Sequence, residues 1–232
     1  MCGRYSLVCI DDLGNRFRVH NPMIGARSRF NIAPGSGLPV IVRNGGRSEI
    51  ALMTWGLVPQ GRTGSAAAPR LINARAESLA EKPVFRRLLE SGRCLVPASG
   101  FFEWKTEGRR KIPFYFHLPE SPLFAFAGLY DSWQGADGQT VSSYTIITCR
   151  PNALMAKVHD RMPVILSREV EDRWLSQGPL TTDNLAEILT PFSDSAMAGM
   201  PVADFVNNPA VDDERMVRPL PSSAGRQTYL TD

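Results

Sequence analysis

Arg93-Cys94-Leu95-Val96-Pro97-Ala98-Ser99-Gly100-Phe101-Phe102-Glu103-Trp104-Lys105 holds two apolar runs joined at a Ser-Gly step. β-branched and aromatic residues fill both runs, and the small residues between them mark a turn. Arg93–Ala98 and Phe101–Lys105 therefore read as two strands. The same pattern recurs on both sides, at Leu38–Val42, Ile50–Trp55, Pro113–Leu118, Leu123–Tyr130 and Ser143–Cys149. Asn44-Gly45-Gly46 and Asp137-Gly138 stand at joins between runs, which favours antiparallel hairpins.

Helical patterning is sparser. Lys82–Ser91 carries Val84, Phe85, Leu88 and Leu89 on one stripe and ends at Gly92. Ser167–Gln177 opens on a capping serine with Glu169 and Glu171 behind it, and Asp183–Leu189 closes at Pro191. Many strands with helices at the margins give an α+β fold, mostly antiparallel, with a curled or barrel-like sheet and a few peripheral helices. One domain is expected over residues 1–218, followed by a flexible tail over 219–232. Gln60–Pro69, rich in Gly, Ser and Ala, reads as a surface loop.

A chain of 232 residues that is 43% hydrophobic can bury a core without staples. The four cysteines, Cys2, Cys9, Cys94 and Cys149, form no C-x-x-C pair, which speaks against a zinc site or a disulfide framework. The last three sit in apolar surroundings and read as buried thiols. No metal and no cofactor is expected. No run approaches the ~20 apolar residues of a membrane span, and the first residues lack the layout of a signal peptide. The expected location is cytoplasmic, on the nucleoid when bound to DNA. A net charge of +3 permits an anionic partner without requiring one.

Cys2 is the residue with distinctive chemistry. Removal of Met1 requires a small second residue, and Cys2 with Gly3 after it fits; removal would leave a thiol and a free α-amine two bonds apart. With reference pKa values of about 8 and about 8.5, both are reactive near neutral pH. Such a pair condenses with an aldehyde to an imine and closes to a thiazolidine, which an internal cysteine cannot do. Other segments could supply its surroundings. Asn73, Arg75 and Glu77 would share one face of an extended run. Glu103 lies among aromatics, where a carboxyl tends toward a raised pKa. His159 is one of three histidines and suits proton transfer near pH 7. Arg29–Gly35 reads as a tight turn with a polar rim, and Trp55 adds an aromatic beside a turn. Each has a structural alternative: Glu103 paired with Lys105 or Lys111, His159 anchoring a turn, Asn73 satisfying a loop, Trp55 in the core.

Taken in order, these segments form a set. Met1-Cys2-Gly3-Arg4-Tyr5, Arg29-Phe30-Asn31-Ile32-Ala33-Pro34, Trp55-Gly56-Leu57-Val58-Pro59, Ile72-Asn73-Ala74-Arg75-Ala76-Glu77, Gly100-Phe101-Phe102-Glu103-Trp104 and His159-Asp160-Arg161-Met162-Pro163 succeed one another. The chain resembles the SRAP family of SOS-response-associated peptidases, or abasic-site processing proteins. The resemblance runs from residue 2 to about residue 215. It implies binding of single-stranded DNA that carries an abasic site, and a covalent thiazolidine crosslink to the ring-opened sugar that shields the lesion. It implies Cys2 as nucleophile with Asn73, Glu103 and His159 in support. Gly3, Arg4, Asn31, Pro34, Trp55, Arg75, Thr148 and Arg161 would contact the DNA, with Trp55 stacking on a base and backbone amides near Asn31–Gly35 holding phosphates. The expected partner is abasic single-stranded DNA, with no membrane and a monomeric protein. The family's peptidase label implies self-processing at the Met1–Cys2 bond. Two rival readings remain open: an N-terminal-cysteine amidohydrolase or peptidase, and a non-covalent single-stranded DNA-binding module.

Overall fold

In the computed structural model, residues 2–8, 10–21, 27–60, 70–135, 138–176, 178–220 and 230 are described. The strands are β1 (Tyr5–Leu7), β2 (Arg29–Ile32), β3 (Gly37–Asn44), β4 (Arg47–Trp55), β5 (Asn73–Arg75), β6 (Arg93–Ala98), β7 (Gly100–Glu107), β8 (Arg110–His117), β9 (Phe124–Gln134), β10 (Thr140–Cys149), β11 (Met162–Pro163), β12 (Ile165–Leu166) and β13 (Ala198–Pro201). The helices are α1 (Leu13–Phe17), α2 (Pro83–Ser91), α3 (Ala153–Ala156), α4 (Arg168–Leu175) and α5 (Thr182–Ile188).

The longest strands close into a barrel. β10, β4, β3, β6 and β9 are neighbours in that order, and β9 pairs back onto β10. Most pairings are antiparallel; β4 and β5 run parallel to β10. A second sheet orders β13-β8-β7-β1-β2, with β1 between β2 and β7. The fold is α+β with a barrel-like sheet. Its strands fall where β-branched and aromatic residues were densest. The β3–β4 hairpin turns at Gly45 and Gly46, whose φ of 53° and 80° suit a primed turn that glycine adopts without strain.

β6 is buried at every position, which explains its unbroken apolar run. β7 sits between two cores. Phe101 faces the barrel core, stacked on Phe116 with centroids 5.3 Å apart. Phe102 faces a smaller cluster with Tyr115, Met200, Val202, Val206 and Met216. Gly100 is glycine because the Tyr115 ring occupies the space a Cβ would take.

One expectation needs correction: Arg29–Ile32 is a strand, and only Ala33–Gly35 turn. Of residues 219–232, Leu230 donates its backbone N–H to Gly199 O at 2.9 Å and packs on the barrel core. Cys94 and Cys149 are buried as read. The Gln60–Pro69 loop, apart from Gln60, lies outside the described residues, as do Cys9 and Asp137. Among the described residues no helix is long and apolar enough to cross a membrane.

Candidate active site

Strand pairing places Cys2. Tyr5 lies opposite Phe101, and Phe102 N–H donates to Arg4 O at 2.9 Å. Continuing that antiparallel register toward the chain start sets Gly3 opposite Glu103 and Cys2 one position further on, opposite Trp104. Cys2 is fully buried. Asn73 Nδ2 donates to its carbonyl at 2.9 Å, and its Sγ lies 3.8 Å from Arg4 O. β5 holds Asn73 because it runs parallel to β10, with Asn73 opposite Ile146 and Arg75 opposite Thr148. Asn73 Oδ1 is buried and meets no hydrogen-bond partner among the described residues.

Glu103 is 2% exposed. Its carboxylate Oε2 stands 3.9 Å from His159 Nε2. Burial pushes the Glu103 carboxyl up to about 7, against the opposing pull of the positive amino terminus and the Trp104 backbone amide. The neutral acid and the carboxylate are both accessible near neutral pH, as a proton-transfer group requires. Lys105 pairs with Glu107 at 2.6 Å, so the surface ion-pair reading of Glu103 with Lys105 does not hold.

α3 and β11 position His159. Its N–H donates to Met155 O at 2.8 Å, and β11 returns to pair with Cys149 at the end of β10. Arg161 N–H donates to His159 Nδ1 at 3.0 Å. Asp160 Oδ1 is also 3.0 Å from Nδ1, a contact that needs a proton on that nitrogen. The backbone donor is fixed, whereas the Asp160 side chain is 88% exposed and free to turn away. Burial, followed by the positive amino terminus, lowers the His159 pKa. Both facts favour a neutral ring that accepts at Nδ1 and presents Nε2–H toward Glu103.

Burial also raises the Cys2 thiol, followed by the nearby Glu103 carboxylate. The thiol is therefore held in its protonated form at neutral pH.

The predicted DNA residues fall into two classes. Pro34 and Arg75 are exposed and Gly3 is half-buried. Arg4, Asn31, Thr148 and Arg161 are engaged within the protein. Arg4 Nη1 donates to Asn31 Oδ1 at 2.7 Å and to Val206 O at 2.8 Å. Asn31 is 1% exposed and its amide donates to Val211 O at 2.7 Å. Arg161 forms a two-pronged pair with Glu77 at 2.7 and 2.9 Å and donates to Thr148 O at 2.6 Å. Thr148 is fully buried.

Two expectations are overturned by this geometry. Trp55 is fully buried, and its Nε1–H donates to Ile72 O at 3.0 Å. It is a core residue beside the site and cannot stack on a base. Of the amides near Asn31–Gly35, those of Asn31 and Gly35 are taken within the protein and are not free for a phosphate. Phe30 and Asn31 N–H donate to Asp212 at 2.5 and 3.0 Å, and Gly35 N–H donates to Trp55 O at 2.8 Å.

Trp104 is the partly accessible aromatic near Glu103. It is half-buried and donates from Nε1 to Asn207 Oδ1 at 2.7 Å. With Glu103, His159, Thr106, Lys111 and Asn207 it lines an open cleft of about 520 Å³. Strand alternation opposes Trp104 to Glu103, which reads as core; its place at a sheet rim is visible only once Asn207 is brought beside it.

The model of a family described as SOS response associated peptidase (SRAP) matches residues 1–209. The chain belongs to the SRAP family. It is 38% identical over 221 residues to a protein of Bacillus subtilis named abasic site processing protein YoqW, covering 94% of this chain and 99% of that one. The abasic site processing protein YedK of Escherichia coli is 30% identical over 187 residues, 76% of this chain and 80% of that one. A crystal structure from Bacteroides thetaiotaomicron superposes with a TM-score of 0.85 at 28% identity, covering 94% of this chain and 99% of that one.

Proposed function

We propose that this family member processes abasic sites, bonding covalently through Cys2 to the lesion sugar in single-stranded DNA. The observation that carries the reading is the setting of Cys2: a fully buried second residue, its carbonyl held by Asn73 and its thiol within the field of Glu103. The shared name of the relatives from B. subtilis and E. coli agrees with it.

The mechanism follows from the groups present, once Met1 is removed. His159 hydrogen-bonds from Nε2–H to the ring oxygen of the sugar; the Glu103 carboxylate takes the anomeric hydroxyl proton and returns it to the ring oxygen as the C–O bond breaks, and the aldehyde opens. Glu103, balanced near pH 7, takes a proton from the Cys2 ammonium. The amine adds to the aldehyde and water leaves, giving the imine. Asn73 Oδ1, without an internal partner among the described residues, accepts from a sugar hydroxyl. The Cys2 sulfur then adds to the imine carbon, its proton passes through Glu103 to the nitrogen, and the thiazolidine closes. One water is lost overall. Lys111, Arg75 and Arg161 face phosphates, and Trp104 offers a sequence-tolerant stacking surface. An abasic nucleotide enters without the cost of unstacking a base.

A single-stranded oligonucleotide with one abasic site, mixed with protein and run on a denaturing gel, tests this. The expected result is a retarded band that needs Cys2 and is absent with Cys2→Ala. No denaturation-resistant adduct, or retention of Met1 by intact mass in active protein, would overturn it.

A further inference from the structure

A second cleft opens at the opposite end of the β3–β4 hairpin. It has a volume of about 330 Å³ and lies between α1, the hairpin turn and α4. Arg16, Arg18, Arg43, Arg47 and Arg168 line it, against only Glu171 and Asp172. The surplus of three positive charges equals the net +3 of the whole 232-residue chain.

The arginines are not equivalent. Arg16 makes a two-pronged pair with Glu171 at 2.8 and 2.6 Å, and Arg43 meets Asp172 at 2.5 Å. These two pairs build the wall. Arg18, Arg47 and Arg168 are exposed and have no ion-pair partner among the described residues. Arg18 is also the one non-glycine residue among those described with a positive φ, at 50°. Glycine closes a helix there without strain, so an arginine in this conformation is costly. Strain kept at a ligand-facing position is a pointer to function.

We infer that this arginine cleft is a second phosphate site, which grips the nucleic-acid backbone at a distance from the reactive cysteine. Charge surplus favours a polyanion, and arginine forks match phosphate oxygens. The separation can be read from the hairpin. Arg47 stands at its turn and Trp55 at its other end, so at about 3.3 Å per residue the two lie about 25 Å apart. Trp55 is hydrogen-bonded to the residue before Asn73. On a stacked strand that rises about 3.4 Å along its axis per nucleotide, that distance corresponds to about seven nucleotides. The inference rests on DNA being the substrate of the Cys2 site.

Undamaged single strands of 6 and 30 nucleotides, with affinity measured by fluorescence anisotropy across a salt series, give the test. The variant carries Arg18→Glu, Arg47→Glu and Arg168→Glu. The control carries Arg86→Glu, Arg109→Glu and Arg110→Glu, with the same change in net charge at exposed positions outside the cleft. The cleft variant should bind the 30-mer at least tenfold more weakly than the control. Its salt slope should be shallower by about 2, since each lost phosphate contact removes about 0.7. Binding of the 6-mer, and crosslinking of a 6-mer with an abasic site, should match the control. A second variant with glutamine at the three positions must show the same loss, which guards against misfolding. Equal losses in variant and control overturn the proposal. So does inorganic pyrophosphate binding in the cleft without any effect of strand length, which would assign it to a small phosphate ligand. Failure to crosslink any abasic oligonucleotide would instead refute the Cys2 reading and leave the length dependence to be judged separately.

Discussion

His159 Nε2 and Glu103 Oε2 stand 3.9 Å apart, both on the wall of the cleft that Trp104 and Asn207 also line. The separation is too long for a direct hydrogen bond. It divides the proton work: the ring keeps its Nε2 proton, because Arg161 N–H occupies Nδ1, and the carboxyl changes state near pH 7.

Glu103→Gln should lower the crosslinking rate about 10²–10⁴-fold, with the gel assay as readout. In the native protein the rate should rise with pH through about 7, as the carboxylate forms. Stability should move the opposite way. The folded pKa of about 7 lies above the ordinary 4.5, so the carboxyl's stabilising contribution is complete below about 4.5 and is lost as pH rises through about 7. Glu103→Gln should flatten that slope in urea denaturation. An unchanged pH profile of both rate and stability would remove Glu103 from the mechanism.

Asn73→Ala removes the donor to Cys2 O, and should cost about 1 kcal/mol of stability as well as slowing the crosslink. Asn73→Asp presents an acceptor to an acceptor and should be worse on both counts. Chemical denaturation and crosslink time courses check the ranking. If Asn73→Asp proves the faster of the two, the hydrogen bond does not orient the cysteine.

The two tryptophans should separate cleanly. Trp55→Ala empties a core site and should destabilise by about 3–5 kcal/mol; Trp55→Phe should leave DNA affinity intact. Trp104→Ala should instead weaken single-stranded DNA by about 1–3 kcal/mol. Thermal melts and anisotropy titrations measure the pair. Weaker DNA binding by a well-folded Trp55→Phe protein would reverse the assignment.

On the proposed reading, Glu77 competes with phosphate for Arg161. Two-pronged contacts at 2.7 and 2.9 Å hold the guanidinium, and its bond to Thr148 O survives without them. Glu77→Ala should therefore raise DNA affinity severalfold at low salt. A fall would mean that Glu77 orients Arg161 for the DNA.

The barrel was readable because its strands carry their own signals. Arg93–Ala98 coincides with β6, and the Gly45-Gly46 turn stands where the glycines announced it. β1 and β2 were not readable. Tyr5-Ser6-Leu7 and Arg29-Phe30-Asn31-Ile32 are short and mixed in polarity, and their extension depends on partners far along the chain, β7 and Asp212. Asn73, Glu103 and His159 could be singled out by residue type, and tertiary pairing alone sets the 3.9 Å between the last two. Trp55 misled because a Trp-Gly step resembles an exposed turn, while its burial comes from β10 and Ile72, which local sequence does not report.

The Arg4 clasp on Val206 spans 202 positions. During synthesis the reactive end emerges first and is locked last. At about 5–20 residues per second, about 10–40 s pass before the 206–212 segment exists to close over it. On the reading proposed above, the amino end stays open to removal of Met1 throughout that interval. A nascent chain would then be accessible to maturation before the fold closes over Cys2.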